Sequence, residues 1–330
     1  MVNELLKAVQ REIPITDRPF KEIGERLGMK EEEVIERLMK LKEEGLIRQI
    51  SPIYDTRLLG YDSSLVAFKV PEENLEKVAD FINAHPGVSH NYEREHEFNL
   101  WFTLAVPKEV PLSLEDTVRL IAERTGVREY AILRTIRLFK IGVKLDFNSV
   151  EEREEVEVKE TKPLELTEED RLIIKETQED MPLVERPYLV FAQRLNMKEE
   201  ELLERLRLYK EAGLIRRVCA ILFHRRAGFR ANGMAVWKVE KDRVEEVGNY
   251  IAGFKGVSHC YERTTNEHWK YNLFSMIHGK SREEVEELVK KVSEETGIRE
   301  YAVLYSKREF KKVRVRYFSE AFEEWYSSFL

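Results

Sequence analysis

The sequence is poor in cysteine and glycine and has no long apolar run. Its 330 residues include 2 cysteines and 15 glycines. Cys219 and Cys260 are too few for a disulfide framework or a cysteine-based zinc site. No apolar run approaches the roughly 20 residues that a helix needs to cross a bilayer, and the N-terminal MVNELLKAVQ lacks the apolar core of a signal peptide. These absences predict a cytoplasmic protein.

Charged residues are abundant instead. They make up 35% of the chain, beside 42% hydrophobic residues, whereas about a quarter is usual. This composition is globular, and its bias toward charge hints at a thermophilic source. The net charge of -7 argues against a general affinity for nucleic acids.

The chain contains one unit twice, because three stretches recur in the same order and at similar spacing. They are MKEEE at 29–33 and 197–201, GVSHNYER at 87–94 with GVSHCYER at 256–263, and TGVREYAIL at 125–133 with TGIREYAVL at 296–304. A period of this length indicates a duplicated domain set. We call the two copies repeat 1 and repeat 2.

Each repeat begins with a winged helix-turn-helix pattern. In repeat 1, the spacing of apolar residues predicts a short helix at 20–27 and a longer one at 30–44. A β-hairpin wing is expected at 46–54. Residues 187–223 repeat this pattern, and Thr167, followed by three acids, predicts a helix N-cap ahead of it.

The second part of each repeat alternates strands and helices. In repeat 1 we expect strands at 64–70, 88–94, 100–106 and 130–136, and helices at 72–84 and 114–125. The order βαββαβ is that of a ferredoxin-like domain, and residues 233–306 repeat it. The predicted fold class is therefore α+β, a tandem repeat of a winged helix-turn-helix and a ferredoxin-like domain.

These patterns predict six segments. The winged helix-turn-helix domains span 1–60 and 166–228, the ferredoxin-like domains span 61–147 and 229–318, a charged linker spans 148–165, and a tail spans 319–330. The linker contains EEREEVEVKE, which has no packing period and favours a solvated linker or an exposed strand. The aromatic tail is expected to form a short helix that packs on the body.

The recurring GVSHxYER stretch is the main candidate site. Alternate side chains of a strand point to the same face. Two sets of three side chains would therefore each share a face: His90, Tyr92 and Arg94, and His259, Tyr261 and Arg263. Such groups make a poor core and suit an anionic ligand, although a purely structural role for the histidines stays open.

A winged helix-turn-helix followed by a βαββαβ domain resembles the leucine-responsive (Lrp/AsnC) regulator family. The resemblance implies that the ferredoxin-like sheets pair, so that one chain forms a pseudo-dimer; a homo-oligomer is also possible. It also implies an alternative function, a transcriptional regulator that senses a tetrapyrrole or an amino acid. The predicted recognition helices argue against DNA binding, because they begin with Glu31–Glu33 and Glu199–Glu201, which a polyanion repels.

A closer resemblance covers nearly the whole chain. KEEGLIRQISPIYDTRLLGY at 42–61, RVCAILFHRRAGFRANGMAVWKV at 217–239 and HWKYNLFSMIHG at 268–279 resemble the siroheme decarboxylase family. These are Lrp-like enzymes of the alternative heme and heme d1 pathways, usually made of two homologous subunits, which would here be fused. The resemblance implies a carboxy-lyase that removes CO2 from acetate side chains of siroheme to give 12,18-didecarboxysiroheme. It implies no cofactor beyond the substrate's iron, and neither DNA nor a membrane as partner.

Siroheme carries eight carboxylates, so the resemblance implies several cationic donors, for which arginine is best suited. The candidates for substrate binding are Arg48, Arg94, Arg216, Arg217, His224, Arg225, Arg226, Arg263, His268, Trp269, Tyr271 and Asn272. The arginine-rich run at 216–230 is equally compatible with a solvated basic surface.

His259, Tyr261 and His90 are the catalytic candidates, because a carbon that has lost CO2 needs a proton donor. His224 and His259 are candidate axial ligands of the substrate iron.

The two repeats differ in the loop after the motif. Repeat 2 has a longer aromatic loop that is expected to cover a flat macrocycle, whereas Glu95 and Glu97 of repeat 1 are expected to repel substrate carboxylates. We therefore expect the main pocket in repeat 2.

Overall fold

The structure is a computed structural model that describes residues 2–142, 149–158, 164–223 and 231–330. It divides into two compact bodies, each built from both repeats. The HTH body comprises residues 1–61, 161–225 and 316–320, and the sheet body comprises residues 62–160, 226–315 and 321–330. The domain boundaries given above stay predictions. In the described ranges, no helix combines the length and the apolar composition needed to cross a membrane.

Repeat 1 contributes five helices and six strands to the described residues. In chain order they are α1 Val2–Arg11, α2 Pro19–Leu27, α3 Glu31–Glu43, β1 Ile47–Tyr54, β2 Asp62–Phe68, α4 Leu75–Asn83, β3 Val88–Arg94, β4 Leu100–Val106, α5 Leu114–Thr125, β5 Tyr130–Leu133 and β6 Thr135–Lys140. Pro19 begins α2, where a missing N–H costs nothing, and Gly28 ends it with a φ of 69° that favours glycine.

Repeat 2 follows the same plan. Its elements are α6 Glu168–Thr177, α7 Pro187–Arg194, α8 Glu199–Glu211, β7 Ile215–Leu222, β8 Ala231–Trp237, α9 Val244–Ala252, β9 Val257–Arg263, β10 Leu273–Gly279, α10 Arg282–Thr296 and β11 Tyr301–Lys312, with α11 Ala321–Ser327 in the tail. The predicted N-cap is confirmed, because Thr167 and Asp170 form a reciprocal capping box at the start of α6.

The hairpin predicted at 46–54 is wrong. That segment is the single strand β1, which pairs antiparallel with β7 of the other repeat in a two-stranded sheet. Asp55 ends β1 and caps a short 3-10 turn at Thr56–Leu59, so the chain leaves the sheet instead of folding back. The wing is thus shared between the repeats.

The sheet body contains one nine-stranded sheet with the order β5-β2-β4-β3-β11-β8-β10-β9-β6. Strand pairs β3–β11 and β6–β9 join the two repeats. The strand predicted at 130–136 is in fact two strands. Between them, the Arg134 N–H donates to Thr264 Oγ1 at 2.9 Å and its carbonyl accepts from the Thr264 N–H at 2.9 Å, so β5 stays on β2 while β6 joins β9.

Helices cover one face of this sheet and bury one core in each repeat. Phe68 and Phe102 lie in the repeat 1 core, and Trp237 and Phe254 lie in the repeat 2 core. A third apolar cluster, on the opposite face, contains Trp101, Trp269, Phe274 and Leu304. Each large apolar side chain that is fully buried contributes about 1.5–3 kcal/mol to folding.

The tail and the linker both pack on the sheet body. Helix α11 places Trp325 and Tyr326 in the repeat 1 core, which confirms the expected short helix. In the predicted linker, Val150 is buried, and the Arg153 guanidinium carbon lies 4.5 Å from the ring centre of Phe254. The described part of this segment is therefore not simply solvated.

Candidate active site

The GVSHNYER stretch forms β3 and presents His90, Tyr92 and Arg94 to the face opposite the helices. Asn91 points to the helix side, where its amide donates to Asn83 Oδ1 of α4 at 2.9 Å. The rings of His90 and Tyr92 stack on the other side at a centroid distance of 6.2 Å. The Arg94 guanidinium carbon lies 5.8 Å from the Tyr92 ring centre. The prediction that these three side chains share a face is confirmed.

Strand β9 repeats the arrangement. His259 and Tyr261 stack at 6.2 Å with an angle of 14° between their planes. The Arg263 guanidinium carbon lies 4.5 Å from the ring centre of Tyr261 and 5.5 Å from that of Phe274. An imidazole, a phenol and a guanidinium thus follow one another along the strand in both repeats.

A β-bulge precedes each of the two histidines. In repeat 1, Val88 pairs with Leu104 and His90 pairs with Thr103, so Ser89 has no partner of its own in β4. A bulge turns the extra residue out of the regular alternation. The Ser89 hydroxyl lies 2.9 Å from His90 Nδ1 and 2.9 Å from Thr103 Oγ1. The Ser89 hydroxyl therefore fixes the orientation of the His90 imidazole through a hydrogen bond at Nδ1.

The bulge of repeat 2 supports a longer chain of hydrogen bonds. Ser258 is the extra residue between the pairs of β9 with β10. Its hydroxyl lies 2.8 Å from His259 Nδ1 and 2.7 Å from His278 Nε2. His278 Nδ1 in turn lies 2.8 Å from Asn232 Oδ1. Ser258, His278 and Asn232 were not among the predicted site residues, although a serine precedes the histidine in the motif of both repeats.

Arg94 is buried and Arg263 is partly buried, with its Nε atom out of contact with solvent. Burial lowers the pKa of each to about 10, because a low-dielectric surrounding disfavours the charged form. Arg94 donates to Ser306 Oγ at 3.1 Å, and Arg263 donates to the Leu133 carbonyl at 3.1 Å and to Thr135 Oγ1 at 3.0 Å.

Neither guanidinium is neutralised by a residue that the structure describes. Among the residues that the structure describes, neither has a carboxylate within ion-pair distance, and the Nε atoms of Arg94 and Arg263 have no hydrogen-bond partner. A buried charge of this kind is costly unless something pairs with it. A ligand carboxylate would satisfy both the charge and the unused N–H groups.

The aromatic loop of repeat 2 packs against the sheet body through Trp269 and Asn272. Trp269 is buried in the third apolar cluster and donates its indole N–H to the Tyr271 carbonyl at 2.9 Å. The Asn272 side chain accepts from the Val239 N–H and donates to the Val239 carbonyl, both at 2.8 Å. Asn99 of repeat 1 does the same with Val70. These contacts fix Trp269 and Asn272 within the sheet body, and the covering role of the loop stays a prediction.

The acids of repeat 1 are paired with cations. Arg282 donates to both oxygens of Glu95 at 2.9 and 2.8 Å. Lys69 donates to Glu97 at 2.5 Å. Their predicted repulsion of substrate carboxylates is reduced accordingly, so these acids no longer distinguish the repeats.

The remaining predicted residues belong to segments other than the two motif strands. Three of them are exposed on β1 and β7 of the HTH body: Arg48, Arg216 and Arg217. Arg216 Nη2 lies 3.6 Å from Asp55 Oδ2. His268 Nδ1 lies 3.7 Å from Glu129 Oε1. Three more lie outside the described residues: His224, Arg225 and Arg226.

Comparison with known protein families agrees with this architecture. The model of the AsnC-like ligand binding domain matches residues 58–140 and 226–311. The model of the siroheme decarboxylase NirDL-like HTH domain matches residues 3–48 and 170–216. Fold and site therefore define a tandem ligand-binding protein of the AsnC-like class.

Individual relatives narrow the class. The siroheme decarboxylase of Hydrogenobacter thermophilus is 56% identical over 328 residues, which is 99% of this chain and 98% of the relative. The siroheme decarboxylase NirDL subunit of Paracoccus denitrificans is 33% identical over 93% of this chain and 94% of its own. The crystal structure of siroheme decarboxylase NirDL in complex with an iron-uroporphyrin III analogue superimposes with a TM-score of 0.81, at 50% identity, over 99% of this chain and 97% of that chain. The chain belongs to the siroheme decarboxylase family.

Proposed function

We propose that this chain decarboxylates siroheme as a carboxy-lyase and removes CO2 from acetate side chains to give 12,18-didecarboxysiroheme. Membership of the family supports the reaction. The observation in this chain that carries the proposal is the pair of arginines, the buried Arg94 and the partly buried Arg263, for which the described residues provide no carboxylate. A substrate rich in carboxylates supplies what these two guanidinium groups lack.

The reaction needs no oxidant or reductant. The bond between the acetate methylene and its carboxylate breaks, the electron pair stays on carbon and spreads into the macrocycle, and CO2 leaves. A proton then adds to that carbon and leaves a methyl group. Arginine would orient the reacting acetate. We propose no cofactor beyond the iron, which belongs to the substrate.

The side chains of the motif strands supply the candidate proton donors. Burial raises the pKa of Tyr92 to about 12, so its phenol gives up a proton reluctantly near neutral pH. Imidazole is the side chain that most often transfers protons in enzymes. We therefore propose His259, or His90 in the other repeat, as the donor. His259 is also the candidate iron ligand that lies within the described residues.

Mass spectrometry tests the proposal directly. The purified protein is incubated with siroheme under anaerobic conditions, and two successive losses of CO2 are expected. The double variant Arg94→Ala/Arg263→Ala should slow both losses, while Arg119→Ala, which removes an exposed arginine paired with Asp116, should not. A shift of the Soret band without any change of mass would identify a tetrapyrrole carrier instead.

Three further points stay proposals. They are that the tetrapyrrole is the ligand and DNA is not, that one chain works as a pseudo-dimer of its two repeats, and that the protein acts in the cytoplasm. Whether the product serves heme or heme d1 synthesis depends on the enzymes that accompany it.

A further inference from the structure

A chain of hydrogen bonds runs through four side chains, those of His259, Ser258, His278 and Asn232. With the Asn232 amide oriented so that its Oδ1 faces His278, this oxygen can only accept, so His278 Nδ1, at 2.8 Å, carries the proton. A neutral His278 then holds its lone pair on Nε2. The Ser258 hydroxyl donates to that nitrogen at 2.7 Å.

The same donor–acceptor order extends to His259. Because the Ser258 hydroxyl donates its proton to His278, its oxygen can only accept from His259 Nδ1, at 2.8 Å. The neutral His259 ring is thereby held as the tautomer with its proton on Nδ1 and its lone pair on Nε2. Burial and the neighbouring His259 lower the pKa of His278 to about 4, which keeps His278 neutral near pH 7, as this direction requires.

Repeat 1 lacks the corresponding groups. Position 105 of β4, which matches His278 of β10, is alanine, and position 63 of β2, which matches Asn232 of β8, is serine. The Ser89 hydroxyl bonds to Thr103 Oγ1 instead. A hydroxyl can donate or accept, so the described contacts of Ser89 do not impose one direction on the His90 ring.

We infer that His278, acting through Ser258, is a positioning residue that makes Nε2 the nitrogen of the neutral His259 ring that bears the lone pair. A lone pair on this nitrogen suits it to bind the iron of a tetrapyrrole, or to take up a proton from water and pass it to the substrate carbon. In repeat 1, by contrast, the hydrogen bonds of Ser89 do not select one tautomer of His90. The catalytic consequence rests on the proposed function, whereas the tautomer itself does not.

Nitrogen NMR tests the tautomer without any substrate. Protein labelled with 15N-histidine is recorded at neutral pH by long-range proton–nitrogen correlation, and His259 is assigned with the His259→Gln variant. We expect the proton of His259 on Nδ1 in the native protein. Ser258→Ala and His278→Phe should each move it toward Nε2, the tautomer that a histidine side chain favours in water, and Ser258→Thr should restore it. A proton on Nε2 in the native protein, or no response to either variant, would overturn the inference.

Kinetics with siroheme then separate positioning from structure. Loss of an outer partner of a working histidine typically costs 10- to 100-fold, so kcat of Ser258→Ala should fall about 10- to 100-fold with little change in KM or thermal midpoint. Ser89→Ala is the matched control in repeat 1 and should leave the His259 signals unchanged. If native protein does not decarboxylate siroheme, the proposed function fails while the NMR result stands. Unchanged kcat despite a shifted tautomer would overturn the positioning role.

Discussion

At the scale of residues, identical motif side chains meet different neighbours. His259 is tied to a second histidine through Ser258, whereas His90 is tied to Thr103 through Ser89. We expect His259→Ala to lower the decarboxylation rate by about a hundredfold or more, the range of a general acid, and His90→Ala to cost less. Initial rates with siroheme measure both. A dead His90→Ala beside an active His259→Ala would move the working pocket to repeat 1.

Arg94 and Arg263 give a second prediction at this scale. Arg94→Ala and Arg263→Ala should each raise the Kd for siroheme about 10- to 100-fold, because a hydrogen bond to a charged group contributes about 1.5–3 kcal/mol. Absorbance titration of the Soret band measures the Kd, with Arg119→Ala as the exposed control. Because the described residues give these two cations no carboxylate partner, removing either should leave folding stability nearly unchanged. Strong destabilisation with native affinity would make these arginines structural.

At the scale of elements, the first glutamate of each recognition helix, α3 and α8, is paired with an arginine of the protein. Arg18 Nε donates to Glu31 at 3.0 Å, and Arg186 Nε donates to Glu199 at 3.2 Å. The remaining glutamates at both N-termini repel phosphate. We expect no retardation of duplex DNA in gel-shift experiments at low salt. Tight, salt-sensitive retardation would revive the regulator hypothesis.

The tail helix α11 makes stability depend on pH through His85. The His85 ring is buried, its Nε2 lies 3.1 Å from the Tyr326 hydroxyl, and its centre lies 4.5 Å from that of Trp325. Burial lowers its pKa to about 3 from 6.5. Above pH 6.5 the ring is neutral in both folded and unfolded chains. Below that pH only the unfolded chain gains the proton, so stability is lost progressively until about pH 3.

By pH 5 this loss amounts to roughly 2 kcal/mol. Chemical denaturation of the native protein and of His85→Gln at pH 7.5 and pH 5 measures it. The native protein should lose about 2 kcal/mol more than the variant over that interval, since the other titrating groups are common to both. Equal losses would show that His85 does not carry this dependence.

At the scale of the whole molecule, each repeat contains strands whose edges pair with strands of the other repeat. The pairs β1–β7, β3–β11 and β6–β9 all join the repeats, and unpaired strand edges promote association. We expect a chain cut within 159–163 to yield two halves that copurify in equal amounts when they are expressed together. Either half alone should self-associate or melt earlier, as size-exclusion chromatography and thermal melting would show. Two stable monomeric halves would contradict this.

Local patterns in the sequence were enough for much of the fold. The bounds of β3, β4 and α5 agree with the apolar spacing, because a period of 2 or 3.6 residues is a property of the segment itself. The duplicated motif likewise identified the two faces that carry histidine, tyrosine and arginine, since alternation along a strand needs no knowledge of its neighbours.

Only the tertiary structure decided which strands pair and what surrounds each motif. The 130–136 segment divides at Arg134 because Thr264, distant in sequence, binds its backbone. The bulges that turn Ser89 and Ser258 toward their histidines depend on the register with the partner strand. His278 and Asn232 reach Ser258 from two other strands, so no local pattern contains that chain of hydrogen bonds. The sequence determined the chemistry available on each face, and long-range pairing determined which histidine has its tautomer imposed.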